Sequence, residues 1–239
     1  MKYLYGPVKS RRIGFSLGVN LTPYKTCNFD CVYCQLGKTV TLTNERKEYI
    51  KVSEVLDELK YWLENNREVA QDFDYITLSG SGEPTLNSGF GQLISGIRKL
   101  TAHKIAVLTN ASLLVDPQVR LEMLGVDLIV PSLDAVTQNL FVEVDRPHPD
   151  IKIENIINGL IALRREFRGK IWLEVMLIKG LNDDIRHIRK LKEVIDRINP
   201  DKIQLNSPVR TTAEINVQLV PKTKLNKIKD ILGEKVEIF

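Results

Sequence analysis

Short apolar runs alternate along the chain with polar turns and with stretches in which apolar residues recur at helical spacing. The apolar runs predict six strands, at 13–21, 75–78, 105–108, 128–130, 171–178 and 203–205. Helical spacing after each run predicts helices over 53–63, 90–100, 116–125, 153–165, 185–195 and 221–232. Strands that alternate with amphipathic helices are typical of a parallel sheet with helices outside it. The sequence therefore predicts an α/β fold of six strand–helix units.

Residues that favour helix starts support these boundaries. We expect Ser53, Asp116 and either Asp183 or Asp184 to cap helices, because their side-chain oxygens can accept hydrogen bonds from free backbone N–H groups. The last residues, 236–239, are expected to add a short strand. The same periodicity fits a doubly wound sheet and an incomplete barrel, so it does not choose between them.

Polar residues cluster directly after the predicted strands. These clusters lie at 27–34, 80–85, 109–110, 132–134, 179–182 and 206–210. In α/β barrels and open α/β sheets the functional site lies at the carboxyl ends of the strands. We therefore expect these clusters to meet at one end of the sheet.

The composition is that of a globular protein, and it narrows the function classes only a little. The net charge of +4 over 239 residues permits an anionic partner such as RNA without requiring one. No apolar run approaches the roughly 20 residues that span a membrane, and the first residues lack a hydrophobic signal segment. We expect a cytoplasmic protein with no membrane contact. Three cysteines, an odd number, point to metal or redox chemistry rather than to a disulfide framework.

The three cysteines stand within eight residues, in the order Cys27-x3-Cys31-x2-Cys34. Thiolates are the usual ligands of iron–sulfur clusters, and a four-iron cluster that has only three of them keeps one iron open to substrate. A zinc site is the alternative, but zinc motifs usually bring paired Cys-x2-Cys knuckles or nearby histidines. The three histidines, His103, His148 and His187, are distant in sequence.

The cysteine spacing, with the aromatic Tyr33 before the last cysteine, resembles the signature of the radical S-adenosylmethionine (SAM) superfamily. The resemblance implies a partial (β/α)6 TIM-type barrel of parallel strands with outer helices. It implies a single domain over 1–239, with a core barrel at 13–207 and a C-terminal extension of one helix at 208–239. It also implies two cofactors: a [4Fe–4S] cluster on the three cysteines, and SAM, whose amino and carboxylate groups chelate the fourth iron.

The same resemblance implies the reaction. One electron, supplied by a donor such as flavodoxin or ferredoxin, passes through the reduced cluster and cleaves SAM to methionine and a 5′-deoxyadenosyl radical. The radical then takes a hydrogen atom from the substrate.

A glycine-rich segment after the second strand supports this interpretation. Residues 79–85, Ser-Gly-Ser-Gly-Glu-Pro-Thr, resemble the Gly-Gly-Glu-Pro motif that contacts the SAM amino group, with Ser81 in place of the first glycine. We expect SAM contacts from Tyr33 and from this segment's Gly80, Gly82, Glu83 and Pro84. Glycine allows close approach of the backbone to a ligand, and Glu83 offers an acceptor for an ammonium group.

Further polar residues follow later strands. In this superfamily a residue at the place of Asn110 often contacts the SAM ribose, although Asn is also a common turn residue. Ser132 and Asp134 follow the fourth strand. Glu174 lies within the fifth predicted strand, where a charge is costly unless it faces a polar cavity, and Gln204 is a weaker case of the same kind. We expect Ser132 and Glu174 to belong to the cofactor site.

Segments outside these motifs resemble one subgroup, the wyosine-forming tRNA-guanosine synthetases. They are Tyr5-Gly-Pro-Val-Lys-Ser-Arg-Arg, Ser16-Leu-Gly-Val, Lys25-Thr-Cys-Asn, Cys34-Gln-Leu-Gly, Arg146-Pro-His-Pro and Gln204-Leu-Asn-Ser-Pro-Val-Arg. The resemblance implies modification of a tRNA guanosine with a small carbon donor. The archaeal tRNA enzymes carry further cysteines for a second cluster, whereas this chain has none. Lys179, after the fifth strand, is a candidate catalytic amine for a carbonyl donor, or else a solvated loop residue.

Three other functions share parts of this pattern. An activase that installs a glycyl radical on a partner protein has the same cysteine motif. An electron-transfer iron–sulfur protein would normally need a fourth cysteine. A zinc-dependent binding module would bind zinc in place of iron and sulfide. The sequence leaves the substrate, the electron donor and the oligomeric state open.

Overall fold

A computed structural model describes residues 1–10 and 12–239; Arg11, part of the N-terminal motif, lies outside the described residues. The strands are β1 Leu4–Ser10, β2 Gly14–Asn20, β3 Thr26–Cys27, β4 Thr41–Leu42, β5 Tyr75–Ser79, β6 Lys104–Thr109, β7 Leu128–Pro131, β8 Lys170–Met176, β9 Lys202–Asn206 and β10 Val236–Ile238. The helices are α1 Val52–Asn65, α2 Arg67–Ala70, α3 Phe90–Leu100, α4 Pro117–Met123, α5 Gln138–Asp145, α6 Ile153–Glu166, α7 Ile185–Ile198 and α8 Lys222–Leu232.

Within residues 1–10 and 12–239, eight strands form one sheet in the order β1-β2-β5-β6-β7-β8-β9-β10. Among the described strands of this sheet, the β1–β2 pair is antiparallel and the other neighbouring pairs are parallel. The predicted α/β fold, a partial barrel of parallel strands with outer helices, is confirmed. The parallel strands β2 and β5–β9 correspond to the six predicted apolar runs. The C-terminal segment supplies the predicted helix, α8, and the predicted strand, β10, which pairs with β9.

Alternation along the strands separates two cores. Ile171, Leu173 and Val175 of β8 pack in the main core with the helices. A small second cluster on the opposite face contains Ile13 and Val130, with Trp172 against it. We call the space enclosed by this second face the lumen. Trp172, Glu174 and Met176 of β8 face the lumen, and the charged one, Glu174, is a candidate for a site.

One predicted helix cap is corrected. Ser53 does not cap α1, because the helix begins one residue earlier, at Val52, whose buried side chain packs into the core. Glu48 Oε1 accepts a hydrogen bond from Val52 N over 3.3 Å instead. Asp116 and Asp184 do cap their helices, since each accepts hydrogen bonds from the first turn.

Strand β1 was absent from the sequence prediction. It carries Gly6 and Pro7, and its pairing with β2 shifts register between Tyr5 and Val8. Proline is found in sheets mainly on edge strands and at bulges, so this segment has little of the pattern that identifies a strand. Among the described residues, no helix is both long and apolar enough to cross a membrane.

Candidate active site

The cysteine loop, residues 25–34, follows β2 at the carboxyl end of the sheet. The glycine-rich segment after β5 holds one side of it through the backbone. Lys25 N donates to Ser81 O over 2.8 Å, and Glu83 N donates to Thr26 O over 3.3 Å. The two motifs that were predicted to act together are therefore in direct contact.

Residues 144–148 hold the other side of the cysteine loop. His148 N donates to Asn28 O over 2.8 Å, and Val32 N donates to Val144 O over 3.0 Å. The Arg-Pro-His-Pro segment at 146–149 thus supports the loop through its backbone. Its role was not evident from sequence, because the contact joins residues more than a hundred positions apart.

All three cysteines are unpaired and partly exposed. Two side chains place hydrogen-bond donors beside their sulfurs. Lys25 Nζ lies 3.1 Å from Cys34 Sγ, and Asn110 Nδ2 lies 3.8 Å from Cys27 Sγ. Cys31 Sγ instead donates to Asp145 Oδ1 over 3.4 Å.

Burial keeps two of these thiols protonated. It raises the pKa of Cys27 to about 12, with the charge of Glu83 adding to the shift. Burial also raises the pKa of Cys31 well above its usual value, and the neighbouring Asp145 carboxylate adds to it. A buried thiolate forms when a metal or a cation neutralises it. These thiols are therefore suited to metal coordination rather than to free nucleophilic chemistry.

Glu83 is buried, and both of its carboxylate oxygens accept hydrogen bonds from the protein. Oε1 accepts from Thr85 N, Thr85 Oγ1 and Thr109 Oγ1 at 3.1, 2.6 and 2.7 Å. Oε2 accepts from Asn110 N over 2.7 Å. Burial raises the pKa of Glu83, and these hydrogen bonds partly offset the shift. The described contacts give this carboxylate a positioning role, because it fixes the turn after β6 against the turn after β5.

The glycines of this segment approach protein rather than an open space. A Cβ on Gly82 would overlap the carbonyl oxygen of Thr26, and one on Gly80 would overlap Asn20 Oδ1. Gly80 also has a φ of +122°, which other residues rarely adopt. Pro84 is buried and begins a 3-10 turn over Pro84–Leu86. The backbone therefore approaches protein closely here, at Thr26 of the cysteine loop and at Asn20 of β2, while close approach to a ligand stays a prediction.

Asn110 joins the same network. Its Nδ2 donates to Asn28 Oδ1 over 2.7 Å, and its Oδ1 accepts from Ser112 Oγ over 2.6 Å. Asn28 is fully buried, and its Nδ2 donates to Ser112 Oγ over 2.7 Å. Asn110 therefore links the residue after Cys27 to the loop that Glu83 anchors.

A cavity of about 30 Å³ brings several predicted site residues together. It is lined in part by Tyr33, Asn110, Ser132, Asp134 and Asp145. Tyr33 Oη donates to Asp134 Oδ2, and Asp134 Oδ1 accepts from Met176 N over 2.7 Å. Burial raises the pKa of Asp134 to about 7, and the charge of Glu174 adds to the shift, whereas the hydrogen bonds from Met176 and Tyr33 oppose it. Burial and the neighbouring Asp134 likewise raise the pKa of Asp145.

Glu174 faces the lumen, where it forms an ion pair with Arg12. It also accepts a hydrogen bond from Asn206 Nδ2 over 3.0 Å. Gln204 is fully buried beside this pair, and its Nε2 donates to Arg12 O over 3.0 Å. Glu174 is partnered, as a charge within a strand requires.

Lys179 is not brought together with these residues. It is exposed in the turn after β8, where its backbone N–H donates to Gln218 O over 3.0 Å. Its catalytic role stays a prediction. Sequence reasoning missed Lys25, Asn28, Asp145 and Arg12 as members of the site. Asn28 and Lys25 stand next to the cysteine motif, and that proximity was the available signal.

Comparison with known protein families decides the class. The sequence model described as the Radical SAM superfamily matches residues 21–191, which contain the three cysteines, the glycine-rich segment, Asn110, Ser132 and Glu174. The chain belongs to the radical SAM superfamily. It is thus a radical SAM enzyme, and its family implies a [4Fe–4S] cluster and SAM as cofactors.

Curated relatives of this radical SAM protein leave the substrate open. It is 34% identical over 236 residues to a UPF0026 protein of Methanocaldococcus jannaschii, covering 98% of this chain and 72% of that protein. It is 38% identical over 228 residues to a Brachyspira hyodysenteriae protein named GTPase Obg, covering 95% of this chain but only 33% of that protein. It is 26% identical over 216 residues to a Thermotoga protein named probable dual-specificity RNA methyltransferase RlmN, covering 87% of this chain and 59% of that protein.

Solved structures show the same fold. A radical SAM methyltransferase from Sphaerobacter thermophilus aligns with a TM-score of 0.71 at 18% identity, covering 94% of this chain and 65% of that one. TYW1 with a lysine-pyruvate adduct aligns with a TM-score of 0.62 at 19% identity, covering 91% and 72%. A domain of pyruvate-formate lyase-activating enzyme from Bacteroides vulgatus aligns at 0.56 and 20%, covering 69% and 98%.

The residues present fit the implied cluster. The three thiols lie on one loop, and Lys25 and Asn110 point donors at two of the sulfurs, as suits thiolate ligands. Among the described residues, no three His, Cys, Asp or Glu side chains converge closely enough to hold a single metal ion. A cluster of four irons would not require that convergence, because Cys27, Cys31 and Cys34 would each hold it through a separate thiolate.

Proposed function

We propose that Cys27, Cys31 and Cys34 hold a [4Fe–4S] cluster at which SAM is reductively cleaved, and that the substrate binds at the lumen mouth. The observation that carries this proposal is the contact between the cysteine loop and the glycine-rich segment, which pack closely where Gly82 meets Thr26. When bound, the reduced cluster supplies the electron that cleaves SAM to methionine and a 5′-deoxyadenosyl radical.

The chain's own residues have separate tasks in this proposal. The thiols bind iron, and the backbone of residues 80–85 faces the SAM amino group. Asn110 and Ser132 are candidates to contact the ribose, since both line the cavity with Tyr33. Glu83 orients the turn after β6 through its hydrogen bonds with Thr109 and Asn110. Glu174 holds Arg12 in the lumen through their ion pair. We keep residues 1–239 as a single domain, because β1 and β10 belong to the same sheet.

We propose a tRNA guanosine as the first substrate to test. Two features favour RNA: the N-terminal and 146–149 segments that resemble the wyosine-forming synthetases, and the similarity to a protein named as an RNA methyltransferase. The alternative is an activase for a glycyl-radical partner, which the similarity to an activating-enzyme domain favours. The exposure of Lys179 gives no support to an adduct at that residue.

Anaerobic reconstitution with iron and sulfide, followed by reduction in the presence of SAM, tests the reaction class. We expect a four-iron cluster and 5′-deoxyadenosine from the wild type, and neither from Cys31→Ala. Lys38→Met is the control and should behave as the wild type does. Lys38 follows the cysteine loop in sequence, and its ammonium lies largely in solvent. A chain that takes up only zinc, or a fully active Cys31→Ala variant, would refute the proposal.

The substrate is tested with the same reconstituted protein. Incubation with unmodified tRNA and a small carbon donor should produce a nucleoside of altered mass. A glycyl-radical signal in a partner protein, with no change in any nucleoside, would favour the activase.

A further inference from the structure

Lys25 is the first residue of the cysteine loop, and its buried ammonium contacts Cys34 at the other end of the loop. Only 3% of its surface is exposed, and its Nζ lies 3.1 Å from Cys34 Sγ. Among the residues that the structure describes, no carboxylate forms an ion pair with it. A buried ammonium without a counter-charge is costly, so its position requires a negative group nearby. The three cysteine thiolates of an assembled cluster provide that charge.

The backbone of Lys25 anchors the loop to its neighbours. Its N–H donates to Ser81 O, and its carbonyl accepts hydrogen bonds from Val40 N and Thr41 N, both at 3.1 Å. Its φ is +53°. These backbone contacts survive a change of side chain, and Lys, Arg and Met share the same cost in the left-handed region. The ammonium is therefore free for a task other than holding the loop.

We propose that Lys25 is a positioning residue for the electron-transfer step: its ammonium raises the reduction potential of the cluster bound by Cys27, Cys31 and Cys34. This rests on the proposed function. A four-iron core of charge 2+ with three thiolates carries one net negative charge, and the electron from an external donor adds a second. A fixed cation beside Cys34 stabilises the more negative state more than the less negative one. Net charge and hydrogen bonds to the sulfurs are the features that set such potentials.

Burial preserves the electrostatic effect of the Lys25 ammonium on the cluster. An exposed lysine near the same loop would be screened by water and salt, whereas Lys25 has little solvent around it. Lys38 shows the contrast, since its side chain is 67% exposed and pairs with Glu214 at 3.4 Å. Of the two lysines, only the buried one should influence the cluster measurably.

A redox titration followed by electron paramagnetic resonance, without SAM, tests this. It compares the wild type, Lys25→Met, Lys25→Arg and Lys38→Met, each reconstituted and assayed for iron and sulfide. We expect Lys25→Met to keep its cluster but to be at least tenfold harder to reduce, a shift of about 59 mV to lower potential for a one-electron couple. Lys25→Arg should stay near the wild type, and Lys38→Met should match it.

Other outcomes of this titration would contradict the proposal. An unchanged potential in a fully loaded Lys25→Met protein overturns the proposal, and so does an equal shift in Lys38→Met. If Lys25→Met loads no cluster, the charge-retaining Lys25→Arg should restore loading and the neutral Lys25→Gln should not; equal loading by both would overturn it. A wild type without any cluster would refute the proposed function itself, which is a different result.

Discussion

Gly82 lies directly against the carbonyl oxygen of Thr26, which leaves no room for a Cβ between the glycine-rich segment and the cysteine loop. We expect Gly82→Ala to push the two segments apart. Backbone cannot yield as a flexible side chain does, so the free energy of unfolding should fall by about 2 kcal/mol or more, within the range for overpacking. Iron uptake on reconstitution should drop with it. Urea unfolding and iron analysis measure the two effects.

Gly37 provides the matched control on the same side of the molecule. Its φ is +83°, but a Cβ there meets nothing within 4 Å. Gly37→Ala should therefore cost only the left-handed backbone conformation, about 1 kcal/mol, and should leave iron uptake intact. Equal loss of iron in both variants would show that the contact with Thr26 does not explain the result.

Glu83→Gln tests the positioning role of the buried carboxylate. Glu83 accepts hydrogen bonds at both oxygens, so an amide –NH2 must face a donor, either Asn110 N or the two threonines. A donor left unsatisfied in the interior costs about 1–3 kcal/mol. We expect lower stability, unchanged iron content and weaker SAM binding, measured by unfolding and by equilibrium binding to the reconstituted protein.

Glu45→Gln is the comparison for this variant, because the Glu45 side chain is 62% exposed and only pairs with Lys47. Its effect on stability should lie within about 0.5 kcal/mol. If Glu83→Gln proves equally silent in stability but still abolishes SAM binding, the carboxylate contacts the ligand directly and the positioning role is wrong.

The six strand–helix units could be predicted because their apolar spacing follows burial in the sheet. Asp116 and Asp184 could be predicted as caps because capping depends on residues one turn apart. The clustering of polar residues after the strands followed from parallel topology alone. The contacts inside the site could not be predicted in the same way. Gln204 Nε2 donates to Arg12 O, 192 positions away, and nothing in the sequence around either residue predicts this contact.

Glu83 shows that a family motif does not predict the contacts of a side chain. The motif predicts that this residue belongs beside SAM, but the pattern says nothing about which hydrogen bonds its carboxylate already accepts. Lys25 shows the reverse. A lysine in a polar loop is usually solvated, and only the fold reveals that this one is buried beside a sulfur.

Asp134 should make the stability of the cluster-free protein fall as the pH rises. Its pKa is raised from 3.8 to about 7, first by burial. The folded state therefore holds a proton that the unfolded state has released between about pH 4 and pH 7, so its stabilising contribution is lost as the pH rises through 7. The loss is at most about 4 kcal/mol, at 1.36 kcal/mol per pKa unit. Asp134→Asn should flatten this dependence in urea unfolding measured from pH 4.5 to 8.

Asp134→Asn should also lower the pKa of Asp145, because the charge of Asp134 helps to raise it. Both changes flatten the pH dependence in the same direction. The exposed variant Asp150→Asn controls for a general effect of removing a carboxylate. Equal slopes in the wild type and in Asp134→Asn would mean that Asp134 is ionised in the folded protein throughout this range.

The Arg12–Glu174 ion pair should couple the N-terminal hairpin to β8. The side chains are 31% and 12% exposed, and Glu174 keeps a second partner in Asn206. Removing either charge leaves the other poorly compensated, so Arg12→Met and Glu174→Gln should each destabilise the protein by about 1–3 kcal/mol, less than a fully buried pair because Arg12 is partly screened. The double variant should lose about 1–2 kcal/mol less than the sum of the single losses.

The exposed pair Lys192–Asp196 on α7 serves as the reference cycle, with an expected coupling of about 0.3–0.5 kcal/mol that salt weakens. The lumen pair should keep most of its coupling in high salt, because little solvent reaches Glu174. If its coupling is as small and as salt-sensitive as that of the α7 pair, the β1–β2 hairpin is held by the backbone pairing of β2 with β5, and Glu174 is available to a ligand in the lumen.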